Sequence, residues 1–136
     1  MAPSEPELLT LTNEDERFYP LLGPFLARRE VHKALGGPPF DDDAKTWTVA
    51  LAPEGTAIGF VGVTRTGALE SLYAVPSERD TLYPLLVRAA VRAAGDRALH
   101  ATVTRERTDA YLSAGFAITA QLVNFDKLAR PRGTTP

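Results

Sequence analysis

The chain has 136 residues, of which 44% are hydrophobic and 24% are charged, and its formal net charge is −2. This length suits one domain with a sizeable core, and the near-neutral charge gives no general attraction to nucleic acid. The chain has no cysteine, which excludes disulfides, thiol nucleophiles and thiolate metal sites. We expect a cytoplasmic protein, because the sequence also has no secretory pattern and no apolar run of the ~18 residues that a membrane span needs.

The first half of the chain predicts a strand, a helical region and a meander of strands. Residues 1–6 and 129–136 are rich in proline and polar residues and are predicted to be tails around a single domain at 7–128. Residues 7–12 predict a strand, and Asn13 is placed to cap a helical region that reaches about residue 35. Pro20 and Pro24 predict a break in this region. Residues 46–52, 57–64 and 68–75 predict three consecutive strands.

The second half predicts a helix at 82–94, a strand at 99–103, a short helix at 108–114 and a long strand at 116–127. The unit from 68–75 through the helix to 99–103 predicts a right-handed crossover between parallel strands. The remaining strands are expected to be antiparallel. The fold class is therefore α+β: a mixed, mostly antiparallel sheet with one parallel crossover and helices on both faces.

Two motifs resemble the GNAT family of acyl-CoA-dependent N-acyltransferases. ESLYAVPSER at 70–79 is similar to the family's Leu-Tyr-Val-x-Pro-x-x-Arg strand and turn, and AYLSAGF at 110–116 is similar to its Tyr-x-x-x-Gly-Phe helix end. The resemblance implies a GNAT-like fold, acetyl-CoA or another acyl-CoA as co-substrate, and direct transfer of the acyl group to an amine. The acceptor is expected to be an amine-bearing small molecule or a protein.

The resemblance also assigns the acyl-CoA site. The strand end is expected to bind pantetheine and the following turn the pyrophosphate, through Leu72, Tyr73, Ala74, Val75, Arg79, Asp80, Thr81, Leu82 and Tyr83. The family has two small residues in this turn, where backbone N–H groups hold phosphate at a helix N-terminus. Here Leu82 and Pro84 replace them, and proline has no N–H to donate. With Thr81 as cap and Pro84 in the first helical turn, we expect a weakened phosphate site.

Two residues are candidates for catalysis. The family tyrosine that matches Tyr111 donates a proton to the departing CoA thiolate, although an aromatic residue before a glycine turn also suits simple packing. Glu70 is a candidate general base if it faces the cleft, and a solvated side chain if it faces outward. The three aspartates at 41–43 either attract a cationic amine or are solvated. No metal site is expected, since His32 and His100 have no supporting motif.

Two functions remain open. The first is an N-acyltransferase, and the second is a GNAT-like fold without catalysis that serves as a binding or assembly module. The replaced glycines favour the second function, whereas Tyr111 and Arg79 favour the first. No membrane partner and no strong nucleic-acid signal are expected, and a homo-oligomer or larger assembly is left open.

Overall fold

The computed structural model describes residues 6–29, 31 and 45–133. The first half contains β1 (Glu7–Leu11), α1 (Phe18–Leu26), β2 (Thr46–Leu51), β3 (Ala57–Val63) and β4 (Leu69–Ala74). A 3-10 turn (Pro76–Glu78) then leads into α2 (Arg79–Ala94), β5 (Leu99–Thr104), α3 (Arg105–Leu112), β6 (Ala117–Gln121) and β7 (Phe125–Arg130). His32 and the aspartates at 41–43 lie outside the described residues.

The strands form two antiparallel sheets. β1 to β4 follow each other in chain order in the first sheet, and β7 lies between β5 and β6 in the second. The two sheets meet at one parallel bridge between Ala68 and His100. The α+β class, the mostly antiparallel pairing and the parallel crossover are thus confirmed, although the parallel contact is limited to this bridge.

The core lies on both faces of the first sheet, as an amphipathic helix on each side requires. On one face, Leu72 and Val61 belong to a cluster that includes residues of α2, α3 and the second sheet. On the other face, Trp47 and Phe60 pack with α1, and their ring centroids are 5.8 Å apart. Helices on both faces were predicted, and the structure has them.

The predicted break in the first helix is wrong. α1 runs without interruption through Pro20 and Pro24, both of which lie on its exposed side, where a missing backbone donor leaves no buried carbonyl unpaired. Asn13 does not cap this helix, because residues 13–17 form a turn before it. In that turn Asp15 accepts hydrogen bonds from Arg17, and its pKa is lowered to about 2 by the Arg17 side chain.

The long final strand is also wrong. The predicted segment at 116–127 is divided into β6 and the start of β7, with residues 122–124 between them. The Leu122 N–H donates to the Phe125 carbonyl at 2.7 Å and closes this connection. The connection contains no glycine or proline, so Asn124 is its one turn-favouring residue and gives only a weak turn signal.

Candidate functional site

The C-terminal halves of β4 and β5 belong to different sheets and do not pair with each other, and the interval between them is called here the cleft. The two strands touch at their beginnings, where the His100 N–H donates to the Gly67 carbonyl at 2.9 Å. Beyond this point β5 pairs with β7 in the other sheet, so no strand of the described residues lies beside β4 on that side. α2 begins after the 3-10 turn that follows β4, which places the N-terminus of a helix at the mouth of the cleft.

A β-bulge distorts β4 beside this cleft. Phe60 pairs with Tyr73 and Gly62 pairs with Glu70, so that Val61 alone faces two residues of β4. One of these two is Ser71, which has φ 60 and is the only non-glycine residue with positive φ in the described part of the chain. A non-glycine residue in this conformation costs about 1–3 kcal/mol, and such strain is concentrated at functional sites.

The end of β4 directs its backbone into the cleft. The Val75 N–H donates to Ile58 O of β3 at 2.9 Å. In an antiparallel strand, the N–H and C=O of one residue point to one side and those of the next residue point to the other. The Ala74 carbonyl therefore points away from β3 and towards the cleft. This carbonyl accepts a 2.9 Å hydrogen bond from Arg79 Nε. The Arg79 guanidinium also lies 5.5 Å from the centre of the Tyr73 ring.

The start of α2 differs from the prediction. Thr81 does not cap the helix, because the helix begins two residues earlier at Arg79, and Pro84 lies inside the helix beyond its first turn. The N–H that Pro84 lacks would have bonded to a carbonyl within the helix and not to a ligand. The N–H groups of the first turn, which belong to Arg79, Asp80 and Thr81, have no partner within the helix. The potential for anion binding thus survives the proline, although the Asp80 carboxylate is in the same turn.

Three neighbours of this turn are directed inward. Leu82 and Tyr83 are 1% and 8% exposed and belong to the core cluster on the α2 side of the first sheet. The Arg107 guanidinium of α3 lies 5.5 Å from the centre of the Tyr83 ring. The space between the two helices near the cleft is therefore occupied by large side chains. Arg107 was not predicted from the sequence; it shares the buried face of α3 with Thr108, Ala110 and Tyr111.

Tyr111 lies deep in the interior. Its side chain is 1% exposed, and its ring packs edge-on against Phe116 with centroids 5.4 Å apart. Burial raises the pKa of Tyr111 well above its usual value, and Tyr83 adds to this effect whereas the charge of Arg107 opposes it. The hydroxyl is accordingly protonated at neutral pH. This is the state that a proton donor needs, and it is also the state of a packed tyrosine.

Glu70 lies on the α1 side of β4. Its Oε2 accepts a hydrogen bond from Lys45 Nζ at 3.1 Å, and the Lys45 ammonium is 5.1 Å from the centre of the Trp47 ring. The Lys45 side chain is 1% exposed and passes over Gly62, where a Cβ would be 2.8 Å from Lys45 Cδ. Lys45 was not predicted from the sequence, because it meets Gly62 and Glu70 only through the pairing of β2, β3 and β4.

Two further arginines of α2, which could supply positive charge to an anion, lie away from the cleft. Arg88 and Arg92 line a groove of about 890 Å³ between the later turns of α2 and the end of α3, away from the N-terminus of α2. Within residues 6–29, 31 and 45–133 there is no group of three or more histidines and carboxylates that could bind a metal. No helix of the described segments is long and apolar enough to cross a membrane.

No protein-family model and no curated protein matches this sequence. Solved structures do match, among them spermidine N-acetyltransferase from Vibrio cholerae in complex with CoA and spermine, with a TM-score of 0.70, 14% identity and coverage of 97% of this chain and 98% of that chain. An acyl-CoA N-acyltransferase from Pseudomonas aeruginosa has a TM-score of 0.71 and 14% identity, covering 92% of this chain and 99% of its own. Escherichia coli ElaA has a TM-score of 0.69 and 12% identity, with coverage of 91% and 99%.

Proposed function

From the premise that this chain has the fold of the GNAT N-acyltransferases, we propose that it binds an acyl-CoA between β4 and β5 and transfers the acyl group to an amine. The divergence of these strands after the Ala68–His100 bridge carries the proposal. Within the described part of the chain it leaves one edge of β4 without a strand partner, and an extended pantetheine arm can pair with such an edge. The bulge at Ser71 changes the direction of the peptide groups beside that edge.

The chemistry is a direct attack of the amine on the thioester. The amine nitrogen bonds to the acyl carbon, the carbon–sulfur bond breaks, and the thiolate of CoA takes up a proton. Backbone N–H groups of β4 near Leu72 and Ala74 are suited to polarise the carbonyl oxygen. Tyr111 is the proposed acid that protonates the thiolate, and Glu70 is the proposed base that accepts the amine proton.

The phosphates of the co-substrate belong at the start of α2 in this proposal. The N–H groups of the first turn, which α2 itself does not pair, and the positive end of the helix dipole both favour an anion there. The Asp80 carboxylate opposes it, so binding is expected to be weaker than this geometry alone allows. The V. cholerae neighbour contains CoA and spermine. For this chain we propose acetyl-CoA as donor and an amine-bearing small molecule or protein as acceptor.

Calorimetric titration with acetyl-CoA and with free CoA tests the binding step. We expect measurable binding of both, and absence of binding at about millimolar ligand would contradict the proposal. The transfer step is tested by following thiol release from acetyl-CoA with a panel of amines, from polyamines to lysine peptides. Release that depends on the added amine supports transfer, whereas release at the buffer rate with every amine contradicts it.

A binding or assembly module without catalysis is the second candidate function. The burial of Tyr111 favours it, because Tyr83 and Arg107 occupy the space beside this residue between α2 and α3. In this case the chain would release no thiol with any amine even where it binds CoA. The binding and transfer experiments together therefore separate the two functions.

A further inference from the structure

We infer that Arg79 makes the cleft selective for acyl donors that carry phosphate over the same thioesters without it. The inference rests on the proposed function, because it concerns the same cleft. Its physical basis is the contact between Arg79 Nε and the Ala74 carbonyl at 2.9 Å, called here the Arg79–Ala74 contact. This contact occupies a backbone acceptor at the mouth of the cleft.

The position of the Ala74 carbonyl makes the contact a competitor of the ligand. The neighbouring Val75 N–H pairs with β3, so the Ala74 carbonyl faces the side on which β5 has diverged. An amide N–H of a pantetheine arm that pairs with β4 needs an acceptor on this side. The arm therefore has to displace Arg79 or leave its own N–H without a protein partner.

Phosphate offers Arg79 an alternative partner. Arg79 is the first residue of α2 and so belongs to the helix N-terminus that favours an anion. A hydrogen bond from guanidinium to phosphate is about twice as strong as one between neutral groups. A ligand that places phosphate at the helix start can draw Arg79 away from Ala74 and release the carbonyl for its own pantetheine arm. A ligand without phosphate has to break the Arg79–Ala74 contact without offering the Arg79 guanidinium a new partner.

Two substitutions separate the hydrogen bond from the charge. Arg79→Ala removes both. Arg79→Gln keeps a donor, because glutamine Nε2 is as many bonds from Cα as arginine Nε, but it removes the positive charge. Arg92→Ala is the matched control, since Arg92 is an exposed residue near the end of the same helix, about 20 Å along its axis from Arg79.

Titration of each variant with pantetheine and with CoA tests the inference, and thermal unfolding verifies that each variant is folded. We expect the wild-type chain to prefer CoA. Arg79→Ala should bind pantetheine about three- to ten-fold more tightly, as the loss of one competing hydrogen bond implies, and should prefer CoA less. Arg79→Gln should bind pantetheine as the wild type does and CoA more weakly. Arg92→Ala should match the wild type with both ligands.

Unchanged or weaker pantetheine binding by Arg79→Ala would overturn the inference. So would tighter pantetheine binding by Arg79→Gln than by the wild type, and this comparison remains decisive if the alanine variant does not fold. An equal gain in Arg92→Ala would also overturn it. Failure of the inference can be distinguished from failure of the proposed function. If the wild type binds CoA but Arg79→Ala does not bind pantetheine more tightly, only the selectivity is contradicted. If Arg79→Ala does bind pantetheine more tightly but the chain never releases thiol, only the transfer is contradicted.

Discussion

Lys45 Nζ lies 3.1 Å from Glu70 Oε2, and this contact joins the start of β2 to the beginning of β4 across Gly62 of β3. The lysine is 1% exposed, whereas the glutamate side chain is 45% exposed. The carboxylate therefore neutralises a buried ammonium while one side of it remains open to solvent. Glu70 has a structural role in addition to its proposed role as base, and the two roles have different experimental signatures.

Glu70→Gln should lower the free energy of unfolding by about 1–2 kcal/mol. Breaking a buried ion pair costs more than this, but the half-exposed carboxylate is partly screened by water. Urea denaturation measures the change, and a double-mutant cycle with Lys45→Met isolates the contribution of the pair. Additive effects in the cycle would mean that the contact contributes nothing. If Glu70 is also the base, Glu70→Gln should lower kcat, and full activity would remove that role.

Tyr111→Phe should lower kcat for thiol release and leave the affinity for acyl-CoA nearly unchanged. The hydroxyl would act on the leaving thiolate and not on the bound ground state. Steady-state thiol release measures kcat, and calorimetry measures the affinity for acyl-CoA. Phe116→Leu is a useful control, because it disturbs the packing around the Tyr111 ring without removing the hydroxyl. Activity of Tyr111→Phe equal to that of the wild type would leave Tyr111 a packing residue.

The raised pKa of Tyr111 also predicts a dependence of stability on pH. Burial keeps the folded-state hydroxyl protonated at pH values where the unfolded chain ionises, at about pH 10. The contribution of this group is therefore fully present below that pH and is lost as the pH rises above it. Urea midpoints measured between pH 8 and pH 11 should fall more for the wild type than for Tyr111→Phe. Parallel curves for the two proteins would contradict the raised pKa.

Local motifs predicted the strand and the turn well, since Leu72 to Glu78 do form the end of β4 and a turn, although the helix begins three residues earlier than predicted. Tertiary packing explains what could not be predicted. Pro20 and Pro24 break helices by local rules, but both lie on the solvent side of α1. Lys45 becomes a buried partner of Glu70 only because β2, β3 and β4 pair in one register. No short stretch of sequence contains that information.

Asp80→Asn should strengthen CoA binding about two- to five-fold. The carboxylate is in the first turn of α2, beside the N–H groups proposed for phosphate, and repels a second anion there. Calorimetry at two salt concentrations measures the effect, which should shrink at high salt because exposed charges are screened. Asp96→Asn, two residues beyond the end of the same helix, is the control and should change little. Equal affinities for the wild type and Asp80→Asn would place the phosphates elsewhere.

The base of the cleft depends on Gly67, which tolerates no side chain. Its φ is +92, and a Cβ there would lie 2.4 Å from the carbonyl oxygen of Ala98, a backbone atom that cannot move away independently. Gly55 has nearly the same conformation, with φ +93, but a Cβ there would meet nothing within 4 Å. Gly55→Ala and Gly67→Ala are thus matched variants that differ in the close approach of the second sheet.

Both alanines should be destabilising, because a side chain at positive φ costs about 1 kcal/mol or more. Gly67→Ala should cost at least about 2 kcal/mol in addition, since the clash pushes Ala98 away and strains the nearby hydrogen bond from His100 to Gly67. The displacement of Ala98 would widen the base of the cleft. Gly67→Ala should therefore also weaken acyl-CoA binding, while Gly55→Ala leaves acyl-CoA binding unchanged. Urea denaturation and calorimetry measure the two effects. Equal destabilisation by the two alanines would mean that the sheets do not approach closely at Gly67. The contact that closes the cleft at the start of β4 and β5 would then be contradicted.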